Sequence, residues 1–272
     1  MAYCIAVANQ KGGVGKTTTV VNLAASLALL GKKVLVVDID PQGNATTGSG
    51  LDKLRLETGV YPMLLGKIGA QEARLRSAQG LYDVIGSNRA LAGAEVELVD
   101  QEGRDTRLRD ALRAVEGEYD LILIDCPPTL TLLTVNAFAA ADGVLVPMVC
   151  EYYALEGISD LIAAIRAVQS GGINPKLGIL GIVKTMFGGN SNLAADVSAE
   201  LDRHFASKVF KVAIPRNVRL AEAPSHGAPL IVYDPKAKGA AAYMDMAEEL
   251  LGRLGMSFSK PGEGEEAARQ AQ

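Results

Sequence analysis

The stretch NQKGGVGKTTT occupies residues 9–19 and follows the apolar run YCIAVA at residues 3–8. Its three glycines let backbone N–H groups converge on one point, and the N-terminus of a following helix adds its partial positive charge there. Such a backbone binds phosphate groups. From Lys16 to Leu30 the apolar residues recur at helical spacing, and Gly31 follows as a helix end. The sequence therefore predicts a strand, a phosphate loop and a helix.

Two side chains of this stretch suit phosphate chemistry. Lys16 is placed to reach the β- and γ-phosphates of a nucleotide, and Thr17 offers a hydroxyl group to Mg²⁺. A glycine-rich turn without a ligand would share part of the composition, but the flanking strand and helix supply the context that a phosphate loop requires. The predicted nucleotide contacts are Lys11, Gly12, Gly13, Val14, Gly15, Lys16, Thr17 and Thr18.

Lys11 is an additional charge in this loop. The strict pattern G-x-x-x-x-G-K-[ST] requires glycine where this chain has Gln10, and the stretch instead matches K-G-G-x-G-K-[ST]. Phosphoryl transfer needs positive charge at the γ-phosphate, and a partner molecule often supplies it. We interpret Lys11 as serving the nucleotide of a second subunit across a face-to-face dimer. The alternative is a solvated surface lysine.

Along the rest of the chain, short apolar runs alternate with helical patterns. This order is typical of an α/β fold with a doubly wound, mainly parallel sheet and helices on both faces. The predicted strands are YCIAVA (3–8), KVLVVD (33–38), DLILID (120–125), GVLVPMV (143–149), LGILGIV (177–183) and KVFKVAI (208–214). Besides residues 16–30, the predicted helices span 90–99, 104–115, 157–169, 192–205 and 239–254. We expect one domain at 1–256 and a disordered polar tail at 257–272.

The composition limits the classes of function. With 272 residues, of which 49% are hydrophobic, the chain can bury a large core. The formal net charge of −4 gives no global sign of nucleic-acid binding, which would need a local basic patch. The widely spaced Cys4, Cys126 and Cys150 fit small core residues in a reducing cytoplasm. We expect no signal peptide and no membrane-spanning segment.

Three aspartates stand where predicted strands end. Asp38 and Asp40 close the second run, and Asp125 closes the third. Doubly wound sheets bind ligands at the carboxyl ends of their strands, so we expect these side chains beside the phosphate loop. We predict that Asp125 holds Mg²⁺ through a water molecule, because this cation usually keeps several waters. A strand-end aspartate can also be only a helix cap, and for Asp38 this alternative stays open.

The variant loop with its signature lysine is similar to that of the ParA/MinD group of P-loop ATPases. Further blocks resemble the chromosome-partition branch of this group, called ParA or Soj, and the similarity spans about residues 1–254. The blocks are VLVVDIDPQGNAT (34–46), LILIDCPPTLTLLTVNA (121–137), CEYYALEGIS (150–159) and IPRNVRLAEAPSHGAPLIVYDP (214–235).

This resemblance implies an ATPase that uses ATP and Mg²⁺ and forms an ATP-sandwich homodimer, with each Lys11 reaching across it. It implies catalytic roles for Lys11, Lys16 and Asp40. Asp40 would position the attacking water and contact Mg²⁺ through water, while Asp38 would support the site. The segment DCPPT at 125–129 would be the switch that senses the γ-phosphate.

Two residues near the end of the chain would line the adenine, by the same resemblance. These are Pro215 and Asn217, although Pro215 could also simply end a strand. Glu151 opens one of the similar blocks, and the sequence assigns it no role.

One stretch of the chain is basic. From Arg203 to Arg219 no carboxylate interrupts Arg203, Lys208, Lys211, Arg216 and Arg219. The resemblance implies that the ATP dimer binds double-stranded DNA without sequence preference, through phosphate contacts. We predict that Arg216, Arg219 and Lys211 contact DNA. A solvated face is the alternative for Lys208 and Lys211.

One position departs from the family. Close relatives carry a DNA-contacting arginine in the loop that reads FGGNSNL here, and this chain has Asn190. DNA affinity is then either weaker or supplied by Lys184, Lys236 and Lys238.

Three other functions fit parts of the sequence. A MinD-like, membrane-cycling regulator of division would end in a basic amphipathic helix, whereas residues 239–255 carry three carboxylates. An iron–sulfur carrier related to the nitrogenase iron protein would need paired cysteine ligands, and the isolated Cys126 and Cys150 do not fit this need well. A nucleotide switch that barely hydrolyses remains compatible. The resemblance favours a cytoplasmic, nucleoid-associated partition ATPase, stimulated by a ParB-like centromere-binding protein and without membrane association.

Overall fold

The apolar runs of the sequence form the centre of an eight-stranded sheet in a computed structural model that describes residues 1–151, 154–188 and 192–259. All six predicted strands are present. The strands are β1 (Tyr3–Val7), β2 (Val34–Asp38), β3 (Arg74–Arg76), β4 (Asp83–Ile85), β5 (Leu121–Asp125), β6 (Gly143–Val149), β7 (Ile179–Phe187) and β8 (Val209–Pro215).

The helices connect these strands, and all six predicted helices are among them. The larger helices are α1 (Lys16–Leu29), α5 (Leu91–Glu97), α6 (Arg107–Leu112), α7 (Leu132–Ala140), α8 (Ala154–Ser170), α9 (Asn192–Phe205) and α12 (Lys238–Arg253). Short helical turns are α2 (Asn44–Gly48), α3 (Val60–Leu64), α4 (Ala70–Ala73), α10 (Val218–Glu222), α11 (Leu230–Tyr233) and the 3₁₀ turns Glu116–Glu118 and Ala223–His226.

The sheet has the strand order β3-β4-β2-β5-β1-β6-β7-β8. Every neighbouring pair is parallel except β3 with β4, which is antiparallel. From β1 the chain continues to β2 on one side and later to β6 on the other. The connection therefore changes direction at β1, and the carboxyl end of this strand opens into the crevice where such sheets bind ligands.

Helices cover both faces of the sheet, as the sequence predicts. Alternate side chains of β2 enter different cores: Val34 and Val36 join the core that contains α1 and α12. Leu35 and Val37 join the core on the opposite face, with α6, α7 and α8. A central strand buried on both sides must be apolar throughout, which is why β2 reads as a continuous run rather than an alternation.

The edge formed by β3 and β4 is absent from the sequence prediction. These strands have three residues each, and β3 reads Arg-Leu-Arg. A short, charged edge strand carries neither the length nor the apolar content that identifies a buried strand, although both features protect an edge from pairing with other chains. Helix α7 is also an addition to the predicted elements.

The assignment of residues 1–256 to one domain and of 257–272 to a disordered tail stays a prediction. Within the described part, Met256 and Phe258 pack partly buried against the core that contains α12. Residues 260–272 lie outside the described residues.

Candidate nucleotide and DNA sites

The phosphate loop lies between β1 and α1, at the carboxyl end of the central strand. Gly13 and Gly15 have φ angles of 73° and 87°, in the left-handed region that other residues rarely adopt. Gly15 forms the N-terminal end of α1, and no side chain caps the helix there. The free N–H groups of the first turn are therefore left for a ligand.

Side chains from distant elements support this loop. The Asn9 amide donates to the Pro147 carbonyl at 2.8 Å, and its carbonyl accepts from the Lys11 backbone amide at 3.0 Å. On the other side, the Thr185 hydroxyl donates to the Val14 carbonyl at 2.8 Å. Strands β6 and β7 therefore hold both ends of the loop. Asn9 lies near the motif but outside its pattern, so this role could not be predicted from the motif.

Lys16 is buried at the base of the loop, with 7% of the residue exposed. Its Nζ donates to the Lys11 carbonyl at 3.2 Å. Burial lowers the pKa of Lys16, and the charges of Asp125 and Asp40 oppose that shift. Among the described residues, this carbonyl is the one hydrogen-bond partner of the buried cation, and phosphate oxygens would complete its set of partners.

Lys11 points to a different partner. Its Nζ lies 2.5 Å from Oε2 of Glu151, and 40% of the lysine side chain and 54% of the glutamate side chain are exposed. The pair therefore lies on the open side of the loop. Beside it, a Cβ added to Gly12 would meet nothing within 4 Å. Glu151, to which the sequence assigned no role, is thus the ion-pair partner of Lys11.

Thr17 and Asp125 come together as the strand ends predict. The Thr17 hydroxyl donates to Oδ2 of Asp125 at 2.7 Å. The other carboxylate oxygen, Oδ1, is buried and has no hydrogen-bond partner among the described residues. A buried carboxylate oxygen without a partner is costly, and a hydrated cation would satisfy it. These two residues therefore fit Mg²⁺, and the contact of Asp125 through a water molecule stays a prediction.

Asp38 and Asp40 lie beside Asp125, because β2 and β5 are neighbours and Asp38 is paired with Asp125 in the strand register. Burial raises the pKa of Asp38 to about 6, against the lowering effect of hydrogen bonds from Thr46 and from the Asp40 amide. Burial and then the charge of Asp38 raise the pKa of Asp125. Three carboxylates in one buried place favour a nearby cation, which would stabilise their charged forms.

A cavity of about 330 Å³ opens on the far side of Gly15. Pro215, Asn217 and Thr18 line it, together with the phenol-bearing Tyr243 of α12 and the apolar Ile214. The Asn217 carbonyl oxygen accepts from the Arg219 amide at 2.9 Å and so caps α10. The predicted phosphate and adenine residues therefore meet in one continuous site. The sequence did not point to Tyr243 as a lining residue.

The candidate DNA residues are less closely grouped. Arg216 and Arg219 lie at the carboxyl end of β8 and in α10, whereas Lys211 lies within the strand. Four residues separate Lys211 from Arg216, and the five steps between them correspond to about 16 Å of extended chain. All three residues are exposed. A DNA duplex could still contact both positions, but they form no single patch.

Carboxylates that lie outside the basic run in sequence form ion pairs with its arginines. Arg219 forms ion pairs with Glu222 at 2.8 Å and with Asp234 at 3.7 Å. Arg203 pairs with Glu200 at 2.6 Å. The local positive charge is therefore smaller than the sequence indicates, because each pair is nearly neutral at a distance.

The prediction that Lys184 could serve as a substitute DNA contact is wrong. Only 12% of its side chain is exposed, and its Nζ donates to the Ser198 hydroxyl at 3.1 Å and lies 3.7 Å from Asp202. Lys184 of β7 therefore directs its charge to the polar side chains of α9. Asn190, the departure from the family pattern, lies outside the described residues, and its effect stays a prediction.

The chain is similar in sequence to a known protein family and to two proteins named Soj. A family described as "AAA domain" matches residues 2–179. The chain is 51% identical over 250 residues to the sporulation initiation inhibitor protein Soj of Bacillus subtilis, covering 92% of this chain and 98% of that protein. It is 52% identical over 250 residues to the chromosome-partitioning ATPase Soj of Thermus thermophilus, covering 92% and 96%.

Solved structures agree on the fold. The cobyrinic acid a,c-diamide synthase of Mycobacterium smegmatis, with bound ADP and magnesium, matches with a TM-score of 0.83 and 36% identity, covering 94% of this chain and 96% of that one. The Soj proteins are more similar to the chain in sequence than this synthase is. At least this protein of the same fold binds a nucleotide together with Mg²⁺.

Proposed function

Because this chain belongs to the ParA/Soj family of chromosome-partitioning P-loop ATPases, we propose that it is an ATP-driven switch for DNA partition. ATP closes a homodimer, the dimer binds double-stranded DNA without sequence preference, and a ParB-like centromere-binding partner stimulates hydrolysis and release. The protein would then act in the cytoplasm, on the nucleoid.

The observation that carries this proposal is the Thr17–Asp125 pair beneath the glycine loop. The loop amides and buried Lys16 would hold the β- and γ-phosphates. Thr17 and Asp125 would hold Mg²⁺, which neutralises phosphate charge when bound. The site would therefore offer the loop amides and a buried lysine to the phosphates, and a hydroxyl group and a carboxylate to the Mg²⁺ that accompanies them.

Hydrolysis requires a water molecule aligned with the γ-phosphate. Asp40 is buried, with 8% of the residue exposed, and its carboxylate would accept a hydrogen bond from that water. Asp40 is proposed to orient the water, and also to contact Mg²⁺ through water. Asp40 would orient the water and would not hold the nucleotide. Loss of its carboxylate should therefore lower the rate of ATP hydrolysis and leave ATP binding unchanged.

The dimer supplies the second lysine. In the monomer, Lys11 is turned to Glu151 on the open side of the loop rather than to its own phosphate site. Exposed ion pairs contribute only about 0–1 kcal/mol, so Lys11 can leave Glu151 at small cost when a partner nucleotide approaches. The open space at Gly12 leaves room for that approach. Lys11 would then stabilise the charge that develops on the partner's γ-phosphate.

DNA binding is proposed to depend on the dimer. Each subunit offers Arg216 and Arg219 near the nucleotide cavity, with Lys211 further along β8. Single patches of this size bind phosphates weakly. Two patches on one dimer bind more tightly because the second contact is intramolecular.

The alternative, a MinD-like cycle on a membrane, has less support. Helix α12 carries Asp245, Glu248 and Glu249, and its apolar face is buried against α1. Anionic lipid would repel these carboxylates, and the buried face is not available for a bilayer. Among the described residues, no helix has the length and hydropathy needed to span a membrane.

Three measurements test the proposal. Fluorescence anisotropy of a short random duplex, without nucleotide, with ADP and with ATP, should show binding with ATP alone, and liposomes of anionic lipid should sediment no protein. Phosphate release should be slow for the parent and about 100-fold slower for Asp40→Ala, which should still bind ATP. DNA binding independent of nucleotide, or ATP-dependent sedimentation with liposomes, would contradict it.

A further inference from the structure

The short helix α2 is joined to the end of β2 by one buried side chain. Thr46, which is fully buried, donates both its backbone amide and its hydroxyl to Oδ2 of Asp38, at 2.8 and 2.7 Å. Asp38 is itself fully buried, and its other oxygen accepts from the Asp40 amide at 3.2 Å. Asp38 therefore lies between Thr46 and the residue proposed to orient the water.

The same hydroxyl also contacts a third segment. The Ser87 backbone amide, just beyond β4, donates to Oγ1 of Thr46 at 2.8 Å. The packing there is tight, because a Cβ added to the neighbouring Gly86 would lie 3.0 Å from the Thr46 methyl group. Thr46 thus has one hydroxyl that donates to the strand-end carboxylate and accepts from the next strand.

Asp40 has few contacts of its own. Among the hydrogen bonds of the described residues, its carboxylate accepts only from the Gln42 amide, two residues away, at 2.9 Å. This contact joins two residues of the same turn, so it does not fix the position of Asp40 relative to the phosphate loop. Two backbone amides anchor this segment: the Asp40 amide donates to Asp38 Oδ1 at 3.2 Å, and the amide of the preceding Ile39 donates to the Asp125 carbonyl at 3.1 Å.

We propose that Thr46 is a positioning residue for ATP hydrolysis, which acts through Asp38 to hold Asp40 at the phosphate site. This inference rests on the proposed function, since it assigns a role within that reaction. Thr46 does not touch the reacting groups. It keeps the Asp38 carboxylate oriented, and Asp38 in turn keeps the backbone of Asp40 in place.

The expected effect follows from the geometry that such a reaction needs. A displacement of about 1 Å at a catalytic group can cost about 100-fold in rate. ATP binding is proposed to depend on the loop amides and Lys16, which lie on a different segment. The Thr46 hydroxyl bonds instead to Asp38 and to the Ser87 amide. Loss of the Thr46 hydroxyl should therefore lower kcat without lowering ATP affinity.

The test compares three variants in ATP binding and in single-turnover hydrolysis. Thr46→Val keeps the shape and removes the hydroxyl, and kcat should fall about 10- to 100-fold while the Kd for ATP changes less than about threefold. Thr46→Ser keeps the hydroxyl and should restore most of the rate. Thr47→Val is the matched control, because the Thr47 hydroxyl donates only within its own turn, to the Gly43 carbonyl at 3.1 Å.

Asp38→Asn keeps the experiment decisive if Thr46→Val does not fold. It should show the same fall in kcat at unchanged ATP affinity, and where Thr46→Val folds, the double variant should be no slower than the slower single one. An unchanged kcat in either variant, an equal loss of ATP affinity, or a Thr46→Ser variant as slow as Thr46→Val would overturn the proposal while leaving the proposed function intact. A parent protein that neither binds nor hydrolyses ATP would instead overturn the proposed function.

Discussion

The phosphate loop at 9–19 and the basic run at 203–219 are both short stretches that stand out by composition. In the loop, the conformation depends on the loop's own glycines, with Gly13 and Gly15 in left-handed geometry. In the basic run, Arg219 is paired with Glu222 and Asp234, which lie outside the run. A motif that acts through its backbone can be recognised locally. A charge cannot, because its effect depends on every other charge near it in space.

The largest expected effect concerns Lys16. Replacing it with alanine removes charge-assisted hydrogen bonds to two phosphates, so ATP affinity should fall about 1,000-fold, at roughly 1.5–3 kcal/mol for each bond. Titration with a fluorescent ATP analogue measures this change. Lys32→Ala, at a half-exposed lysine beyond the far end of α1, is the control and should bind ATP normally. Parent-like ATP binding by Lys16→Ala would refute the view that the loop functions as a unit.

The second effect separates the two lysines of the loop. Lys11→Ala should keep ATP binding by the monomer but lower hydrolysis about 100-fold, because one stabilising charge is lost at the developing transition state. Light scattering should show less ATP-dependent dimer. Gly12→Val should also block the dimer, and because the space around Gly12 is open within the monomer, it should not disturb the fold.

These outcomes distinguish a role across the dimer from a role within one subunit. If Lys11→Ala remains fully active while monomeric, the role across the dimer is wrong. A Gly12→Val protein that still forms the ATP dimer would show that the two loops do not approach each other.

The third effect tests the basic run. Arg219→Glu should weaken DNA binding about tenfold and reduce the salt dependence by about two phosphates per dimer, since each dimer carries two copies of this residue. ATP-dependent dimerisation should be unchanged. Anisotropy with a random duplex at several salt concentrations gives both quantities. A variant that binds DNA like the parent would exclude Arg219 as a contact.

The smallest expected effect concerns Glu222, the carboxylate paired with Arg219. Glu222→Gln removes the carboxylate that lies 2.8 Å from Arg219, so DNA affinity should rise about threefold at low salt and less at high salt. Glu72→Gln, at an exposed glutamate of α4, is the control for net charge. Equal gains in both variants would mean that overall charge, rather than the pairing of Arg219, limits DNA binding.

Prediction from sequence succeeds here where the signal is local. The six apolar runs are strands because a parallel sheet covered on both faces needs continuous apolar segments. The β3–β4 edge was missed because Arg74–Arg76 is short and charged. In the site, the ends of β2 and β5 identify Asp38, Asp40 and Asp125, whereas Glu151 pairs with a lysine 140 residues away and left no sequence signal.

Residue types at short spacing were sufficient to predict the phosphate loop, six of the strands, six of the helices and the family. The use of the charges, in contrast, depends on the fold. It pairs Lys11 with Glu151, joins Lys184 to Ser198 and Asp202, and brings Asp234 to 3.7 Å from Arg219. Electrostatic interactions depend on distance in space rather than along the chain, so the fold had to bring these partners together before their roles could be identified.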